Sequence, residues 1–363
     1  MNIPVTKPFL PDLREYSALL EGVWDREWLT NNGPLLNELE LRLKEWLDVP
    51  HFLFVSNGTI ALQIAIKALG LTGEVITTPF SFIATTSSIA WEGCSPVMVD
   101  ICPRSLNIDP SKIEAAITDR TTAILATHVF GNPCDVIAIN EIAKRHGLKV
   151  IYDAAHSFGV TFRGRSVFTF GDVSTISFHA TKLYHTCEGG GIFTNCSEML
   201  KVMSQLRNFG YVTPVEFGPV GINGKNSELH AAMGLVNLAH IEEIIEKRKQ
   251  ITQWYDSMLA SIDVVYQEWL PGANKNYAYY PVIFDTEETL LDVLTVLQNH
   301  NVFPRRYFYP SLSSLEYVTR RGTPVSDDIS SRILCLPLYH TLSKEEVDMV
   351  SRLIVRTVKY REE

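Results

Sequence analysis

One lysine lies in an unusual setting near the middle of the chain. Residues 177–182 read Ser-Phe-His-Ala-Thr-Lys, and three glycines follow at 189–191. Glycines let the backbone approach a bound group closely, and this low-charge segment is a poor setting for a solvated lysine. A lysine that loses its charge on partial desolvation can form a Schiff base. Lys182 is therefore a candidate for covalent chemistry, although most lysines of a chain are simply solvated.

An aspartate about thirty residues upstream has a complementary setting. Asp153 ends an apolar, strand-like segment, where ligands of open α/β sheets gather, and His156 follows it. Pyridoxal phosphate chemistry needs a lysine for a Schiff base and a carboxylate that keeps the pyridine nitrogen protonated. Lys182 and Asp153 are the candidates for these two roles. Capping of the next helix is the ordinary alternative for Asp153, and a structural hydrogen bond is the ordinary alternative for His156.

A possible phosphate site lies earlier in the chain. Residues 56–59 read Ser-Asn-Gly-Thr between a predicted strand and a predicted helix, where free N–H groups can cradle a phosphate. Taken alone, a plain helix-capping turn is the more common meaning of this pattern. Ser177 could donate its hydroxyl to the same phosphate. Phe82, whose default role is core packing, could stack on a planar cofactor.

Other chemistries fit the sequence less well. His128, His156, His179 and Asp153 lack the spacing of helical metal ligands, so no metal site is predicted. No GxGxxG follows an early strand, which disfavours a nicotinamide cofactor. Cys335 lies in an apolar segment and is a poor candidate for the mobile nucleophilic thiol of a desulfurase.

The elements that must position these residues follow an α/β pattern. Two helices are predicted within 11–48, and the alternation from 51 to 195 predicts a largely parallel sheet covered by helices on both faces. A large domain over residues 1–245 ends with one long helix at 226–245. A smaller α+β domain over 246–363 begins with a strand at 277–284 and ends with a helix that opens on a capping box at Ser343–Glu346. The large domain is predicted to contain strands at 51–55, 74–78, 96–100, 122–128, 149–153, 173–178 and 191–194, and helices at 59–69, 82–91 and 135–146.

Composition restricts the possible partners and location. The 363 residues carry a formal net charge of -9 without a long basic run, so nucleic acid and anionic membranes are unlikely partners. The six cysteines form no CxxC pair, which favours free thiols in a reducing compartment. The N-terminus lacks the apolar core of a signal peptide, and no apolar run is long enough to span a bilayer. We therefore expect a cytoplasmic, globular protein.

Taken in order, the motifs resemble those of the DegT/DnrJ/EryC1/StrS family of pyridoxal-phosphate-dependent sugar aminotransferases. The resemblance extends over nearly the whole chain, and it implies a fold type I α/β architecture and a homodimer with active sites at the subunit interface. It also implies pyridoxal 5'-phosphate as the cofactor, with pyridoxamine phosphate as its amino-carrying form. The matching segments are Gly33–Pro34, Asn57–Thr59, Pro79–Thr85, Tyr152–His156, Gly171–Asp172, Ser177–Lys182, Glu188–Gly190 and Gly221–Lys225.

The resemblance also assigns roles to residues of this chain. Lys182 matches the Schiff-base lysine, which is histidine in the dehydratase branch of the family, and Asp153 matches the partner of the pyridine nitrogen. Phe82 matches the aromatic residue that stacks on the ring, and His156 occupies a position beside the ring face or its 3-hydroxyl. Asn223 matches an asparagine that reaches the phosphate from the neighbouring subunit. The expected phosphate site consists of Gly58, Thr59 and Ser177, and Ile60 is a further expected cofactor contact.

Three segments resemble one branch of the family in particular. They are Val5–Pro11, Trp28–Pro34 and the His-Ala-Thr-Lys form of the lysine motif. That branch transfers the amino group of L-glutamate to dTDP-4-keto-6-deoxy-D-glucose, giving dTDP-4-amino-4,6-dideoxy-D-glucose for O-antigen sugars. The remaining alternatives are a 3-keto sugar or a UDP- or GDP-linked 4-ketosugar as substrate, a dehydratase, and a non-catalytic cofactor-binding regulator. Leu183–Thr186 and Cys187 depart from the family pattern, and we expect them near the sugar.

Overall fold

A seven-stranded sheet forms the centre of the computed structural model, which describes residues 2–319 and 321–360. In chain order the strands are β1 (Ile3–Pro4), β2 (His51–Val55), β3 (Glu74–Thr77), β4 (Ser95–Met98), β5 (Thr121–Thr127), β6 (Lys149–Asp153), β7 (Thr161–Phe162), β8 (Arg165–Ser166), β9 (Val173–Ser177), β10 (Gly190–Thr194), β11 (Tyr211–Thr213), β12 (Glu216–Phe217), β13 (Pro281–Ile283), β14 (Val302–Phe303) and β15 (Ile333–Cys335).

The central sheet has the order β2-β10-β9-β6-β5-β3-β4. Its neighbouring pairs are parallel except those of β10, which runs antiparallel to both β9 and β2. This arrangement confirms the predicted α/β fold with a mostly parallel, mixed sheet. The carboxyl ends of β2, β3, β5, β6 and β9 therefore meet the amino end of β10 at a single edge, where ligands of such sheets bind.

Helices cover the sheet and continue into the C-terminal part of the chain. Among the described residues they are α1 (Leu13–Arg26), α2 (Pro34–Trp46), α3 (Gly58–Ala68), α4 (Ile83–Trp91), α5 (Pro110–Ile113), α6 (Val136–His146), α7 (Ser197–Arg207), α8 (Glu228–Ala239), α9 (Ile241–Leu259), α10 (Glu287–Asn299), α11 (Pro324–Arg332) and α12 (Lys344–Lys359).

Short-range signals explain where several helices begin. Asn57 caps α3, because its side chain accepts the N–H of Ile60. Asp135 caps α6 in the same way. Ser343 and Glu346 form both hydrogen bonds of the predicted capping box of α12. These caps depend on residues within three positions of one another, which is why the sequence predicts them.

The helix predicted over 226–245 is wrong, because the chain forms two helices that meet at His240. His240 leaves the helical backbone conformation between α8 and α9. Its ring lies 2.9 Å from Glu15 Oε2 and 5.3 Å from the centre of the Phe9 ring. Partners more than 200 positions away thus hold the residue at the break, and helical periodicity contains no information about them.

The strand predicted over 277–284 is shorter than expected. Only Pro281–Ile283 pairs, with β15, and Tyr277 has a positive φ of 55°. Buried Arg248 explains the difference, since its guanidinium donates to the carbonyl oxygens of Tyr277 and Ala278 at 3.0 and 2.7 Å. These carbonyls are bound by a side chain instead of a neighbouring strand.

Two large apolar clusters flank α9. One cluster lies on the central sheet and includes Ile244, whereas the other joins Ile251 to residues of β13, β15, α10 and α12. The division at residue 245 falls within α9 and stays a prediction. In residues 2–319 and 321–360, no helix combines the length and apolar character needed to cross a membrane.

Candidate active site

The strand ends meet at one pocket that contains most of the predicted site residues. It receives Asp153 from the end of β6 and Ser177 from the end of β9, and Lys182 from the turn after β9. The predicted residues in its lining are Gly58, Thr59, Phe82, Asp153, His156, Ser177 and Lys182. The fold therefore brings together side chains that lie more than 100 positions apart in the sequence.

Lys182 is only partly exposed at this pocket. Its Nζ lies 3.4 Å from the hydroxyl of Tyr279, and its N–H donates to the carbonyl of His179. Burial lowers the pKa of Lys182 below its usual value, and the Asp153 carboxylate opposes part of this shift. A lowered pKa makes the neutral, nucleophilic amine more accessible near neutral pH.

Asp153 is 6% exposed and is held by two hydrogen bonds. The Thr85 hydroxyl donates to Oδ2 at 2.7 Å, and the Ala155 N–H donates to Oδ1 at 3.2 Å. Burial raises the pKa of Asp153, while the Thr85 and Ala155 hydrogen bonds and the Lys182 charge oppose that rise. A protonated ring nitrogen beside this carboxylate would favour its anionic form further.

His156 lies in the pocket wall as a neutral imidazole. Its Nδ1 accepts the N–H of Phe130 at 3.2 Å, so the ring proton lies on Nε2. Burial, together with the nearby Lys182 charge, lowers the pKa of His156 well below its usual range. The ring lies nearly parallel to that of Phe308, with the two ring centres 5.9 Å apart. His156 therefore offers one N–H donor at Nε2.

The start of α3 and the end of β9 form a close-packed cradle. A Cβ on Gly58 would lie 2.9 Å from Ser177 Cβ, and one on Gly190 would lie 2.5 Å from the backbone of Asn57. The first N–H groups of a helix have no partner within it, and those of Gly58 and Thr59 occupy this position. Together with the Ser177 hydroxyl they fit a phosphate group. The adjacent lysine and carboxylate complete a donor set that fits pyridoxal phosphate.

Phe82 does not follow its default role of core packing. It precedes the first turn of α4, lines the pocket and is 58% exposed. An exposed ring at a pocket wall is available to cover a planar ligand.

Two predicted contacts lie outside the pocket of this chain. The N–H of Ile60 is already bound by the Asn57 side chain at 2.9 Å, and its side chain packs against the core. Asn223 lies near Asn208, and its Oδ1 accepts a hydrogen bond from Lys225. The Asn223 prediction concerned the neighbouring subunit, so a single chain does not test it.

The sequence interpretation missed several residues at or behind the pocket. Tyr279, Arg305 and Tyr307 reach its lining from the C-terminal part of the chain, and Thr85 contacts Asp153 from behind. A hydroxyl in the first turn of a helix that follows a strand was the available signal for Thr85. The three C-terminal residues had no comparable local signal.

The structure places Leu183–Thr186 away from the pocket lining, and their position near the sugar stays a prediction. All four side chains are buried outside the pocket lining. The Tyr184 hydroxyl donates to the carbonyl of Gly234, and His185 Nε2 donates to the carbonyl of Phe9. Cys187 is exposed and has a φ of 65°, which explains why glycine would be favoured at its position.

Of the four candidate metal ligands, Asp153, His156 and His179 line the pocket, whereas His128 does not. His128 stacks on Tyr152 and accepts the N–H of Cys134, whereas His179 contacts Thr181 at the pocket. Within the described ranges, no group of three or more His, Cys, Asp and Glu side chains could hold a metal ion.

Comparison with known proteins identifies relatives over the full length of the chain. A profile of the DegT/DnrJ/EryC1/StrS aminotransferase family matches residues 13–355. A dTDP-4-amino-4,6-dideoxy-D-glucose transaminase of Shigella dysenteriae is 43% identical over 355 residues, covering 95% of this chain and 96% of that protein. A protein of the same name from Escherichia coli is 41% identical over 366 residues, 98% of each chain. The crystal structure of DesI in the presence of its TDP-sugar product superposes with a TM-score of 0.94 at 33% identity, covering 99% of this chain and 94% of that one.

Proposed function

Since the chain belongs to the DegT/DnrJ/EryC1/StrS aminotransferase family, we propose that it transfers the amino group of L-glutamate to dTDP-4-keto-6-deoxy-D-glucose, giving dTDP-4-amino-4,6-dideoxy-D-glucose. Family membership confirms the predicted enzyme class and pyridoxal 5'-phosphate as the cofactor. The substrate is supported by the names of the two relatives above 40% identity. A place in O-antigen sugar synthesis and a cytoplasmic location belong to the same proposal.

The observation that carries the reaction is the position of Lys182 and Asp153 on one pocket. Pyridoxal phosphate, when bound, supplies a ring that withdraws electrons from the α-carbon of an amino acid. Lys182 Nζ would hold the cofactor covalently, and its free amine would accept the proton from that carbon. Asp153 would keep the proton at the ring nitrogen. Gly58, Thr59 and Ser177 would bind the phosphate, and Phe82 and His156 would hold the ring.

Incubation with glutamate and each candidate ketosugar nucleotide tests this function directly. The expected result is one 2-oxoglutarate for each aminosugar formed, with the highest kcat/KM for dTDP-4-keto-6-deoxy-D-glucose. A kcat/KM about tenfold or more higher for a 3-keto sugar, or for a UDP- or GDP-linked 4-ketosugar, would contradict the proposed substrate. Loss of a hydroxyl without 2-oxoglutarate would identify a dehydratase, and cofactor binding without turnover would identify a regulator.

The active form is proposed to be a homodimer whose subunits share each site. Residues 209–222, which we call the apolar hairpin, contain β11 and β12 and expose many large apolar side chains. Val215, Phe217 and Val220 are 90%, 64% and 83% exposed. Apolar surface of this kind marks protein–protein contact, and Asn223 follows it directly in the chain.

Complementation between two damaged subunits tests whether sites are shared. Lys182→Ala removes the amine, and Asn223→Asp places a negative charge where the neighbouring subunit's phosphate is expected. A mixed dimer would contain one site with both changes and one site with neither. Random mixing should therefore restore about a quarter of wild-type activity. Mixtures that stay as inactive as the separate variants would contradict a shared site and leave the reaction itself untouched.

A further inference from the structure

A continuous chain of buried hydroxyl groups lies behind Asp153. Thr85 Oγ1 is 2.7 Å from Asp153 Oδ2, Ser81 Oγ is 2.7 Å from Thr85 Oγ1, and Thr127 Oγ1 is 3.0 Å from Ser81 Oγ. Thr85 is 0% exposed, and Ser81 and Thr127 are each 2% exposed. Ser81 and Thr127 also line the pocket, whereas Thr85 is absent from its lining. Thr85 therefore contacts the carboxylate without contacting a molecule in the pocket.

The chemistry of the groups fixes the direction of these hydrogen bonds. An ionised carboxylate only accepts, so Thr85 donates its single proton to Asp153. The Oγ1 of Thr85 is then an acceptor for Ser81, and the Oγ of Ser81 is in turn an acceptor for Thr127. All three protons point along one line toward the carboxylate. A neutral Asp153 would remove the constraint that sets this order.

The chain of hydroxyls also joins separate parts of the fold. Thr85 lies in the first turn of α4, Ser81 in the segment after β3, and Thr127 at the end of β5. Asp153 ends β6, the next strand of the sheet. The position of Oδ2 is consequently fixed relative to three strand ends at once.

We propose that Thr85 is a positioning residue for transamination, whose hydroxyl keeps the Asp153 carboxylate oriented and ionised for the ring nitrogen of the cofactor. The inference rests on the proposed role of Asp153. Buried carboxylates avoid ionisation unless hydrogen bonds or opposite charge compensate. Thr85 supplies such a hydrogen bond whether or not the pocket is filled.

The surroundings of Asp153 make this contribution important. The Lys182 charge acts on Asp153 across the pocket, and His156 is neutral. The hydrogen bond from Thr85 and the Lys182 charge both oppose the burial-driven rise in the pKa of Asp153. Lys182 must change its bonding during the reaction, whereas the Thr85 hydroxyl takes no part in it. The hydroxyl is thus a constant source of stabilisation.

Three variants separate this role from ordinary packing. Thr85→Val keeps the shape and removes the hydroxyl, and Thr85→Ser restores the hydroxyl. Thr86→Val is the matched control, because Thr86 is equally buried but bonds to the Ile83 carbonyl of its own helix. Loss of a hydrogen bond to a charged group should weaken pyridoxal phosphate binding and lower kcat by about tenfold or more in Thr85→Val. Thr85→Ser and Thr86→Val should stay within about twofold of wild type.

A cofactor analogue tests the mechanism without any turnover. In 1-deazapyridoxal phosphate, carbon replaces the ring nitrogen, so the ring has no proton for Asp153 to hold. Titration of the apo-protein, followed by tryptophan fluorescence, gives the dissociation constant of each compound. Thr85→Val should weaken binding of pyridoxal phosphate while leaving binding of the analogue unchanged or tighter. Equal weakening of both compounds would show a structural role and overturn the proposal.

Failure of this inference is distinguishable from failure of the proposed site. If Asp153→Asn lowers kcat and Thr85→Val does not, Thr85 has no positioning role and the assignment of Asp153 stands. If Asp153→Asn has wild-type kcat, the role of Asp153 fails and the inference fails with it. If Thr85→Val does not fold, Thr85→Ser and Thr85→Ala are compared instead, and the dissociation constant for pyridoxal phosphate is measured. This comparison then decides whether the Thr85 hydroxyl has a positioning role.

Discussion

The pocket wall buries polar groups, whereas the apolar hairpin exposes apolar groups. At the wall, Asp153 and the hydroxyls of Ser81, Thr85 and Thr127 are buried and joined by hydrogen bonds. In the hairpin, Val215 and Phe217 are largely exposed. Both arrangements are unfavourable in an isolated chain, since buried carboxylates lose hydration and exposed apolar groups contact water. We expect each to become favourable when a second molecule is present, the cofactor in one case and the proposed partner subunit in the other.

The largest expected effect comes from the pocket wall. Lys182→Ala removes the amine proposed to hold the cofactor and to move the proton, so turnover should fall by about a thousandfold or more. Absorbance should show no covalently bound cofactor, and circular dichroism should show an intact fold. Lys182→Arg is the control for charge, and it should be equally inactive because guanidinium is not a nucleophile at neutral pH. Turnover near wild type in either variant would refute the assignment.

Asp153→Asn should have the next largest effect. The amide keeps the shape of the side chain but cannot hold a proton on the ring nitrogen, so kcat should fall by about a hundredfold or more. KM for glutamate should change much less, since Asp153 is proposed to contact the cofactor and not the amino donor. Asp172→Asn is a suitable control, because Asp172 lies at the opposite end of the sheet, where it binds Lys149 and the N–H of Val150. Equal losses of kcat in both variants would contradict the proposed role of Asp153 at the ring nitrogen.

A charge in the apolar hairpin should separate the subunits without changing the pocket wall. Phe217→Asp would bury an unpaired carboxylate in the proposed interface, raising the dimer dissociation constant by about a hundredfold or more. Sedimentation velocity measures the constant. Leu291→Asp places the same charge at an exposed apolar position on α10 and should leave association unchanged. A Phe217→Asp protein that remains a dimer would place the interface elsewhere.

The smallest expected effect is on the free energy of unfolding of the apo-protein, and it comes from the burial of the Asp153 carboxylate. In a Lys182→Ala background no ammonium faces Asp153, and burial raises the pKa of its carboxyl. The folded state then binds this proton more tightly than the unfolded chain does. The resulting stabilisation is complete below the unfolded pKa of about 3.9 and is lost as pH rises through the folded-state pKa.

Urea denaturation at a series of pH values measures this contribution. The free energy of unfolding of Lys182→Ala should fall with rising pH relative to that of Lys182→Ala/Asp153→Asn, whose amide does not titrate. Parallel curves for the two proteins would show that ionisation of Asp153 does not lower the free energy of unfolding.

Much of the fold could be predicted because its signals are local. The bounds of β2 and β6 agree with prediction to the residue, and the capping box of α12 is present as expected. The break at His240 and the short β13 could not be predicted in this way. His240 depends on Glu15 and Phe9, and the carbonyls that precede β13 depend on Arg248.

The sequence by itself identified the candidate site residues, because a lysine among small residues, an aspartate at a strand end and a glycine at a helix start are recognisable within a few positions. Only the tertiary structure decided which neighbours control them. Thr85 is 68 positions from Asp153, and Ser81 is 46 positions from Thr127. Hydrogen bonds of this kind form between strand ends that the sheet order makes adjacent, and sheet order depends on pairing across the whole chain rather than on any local pattern.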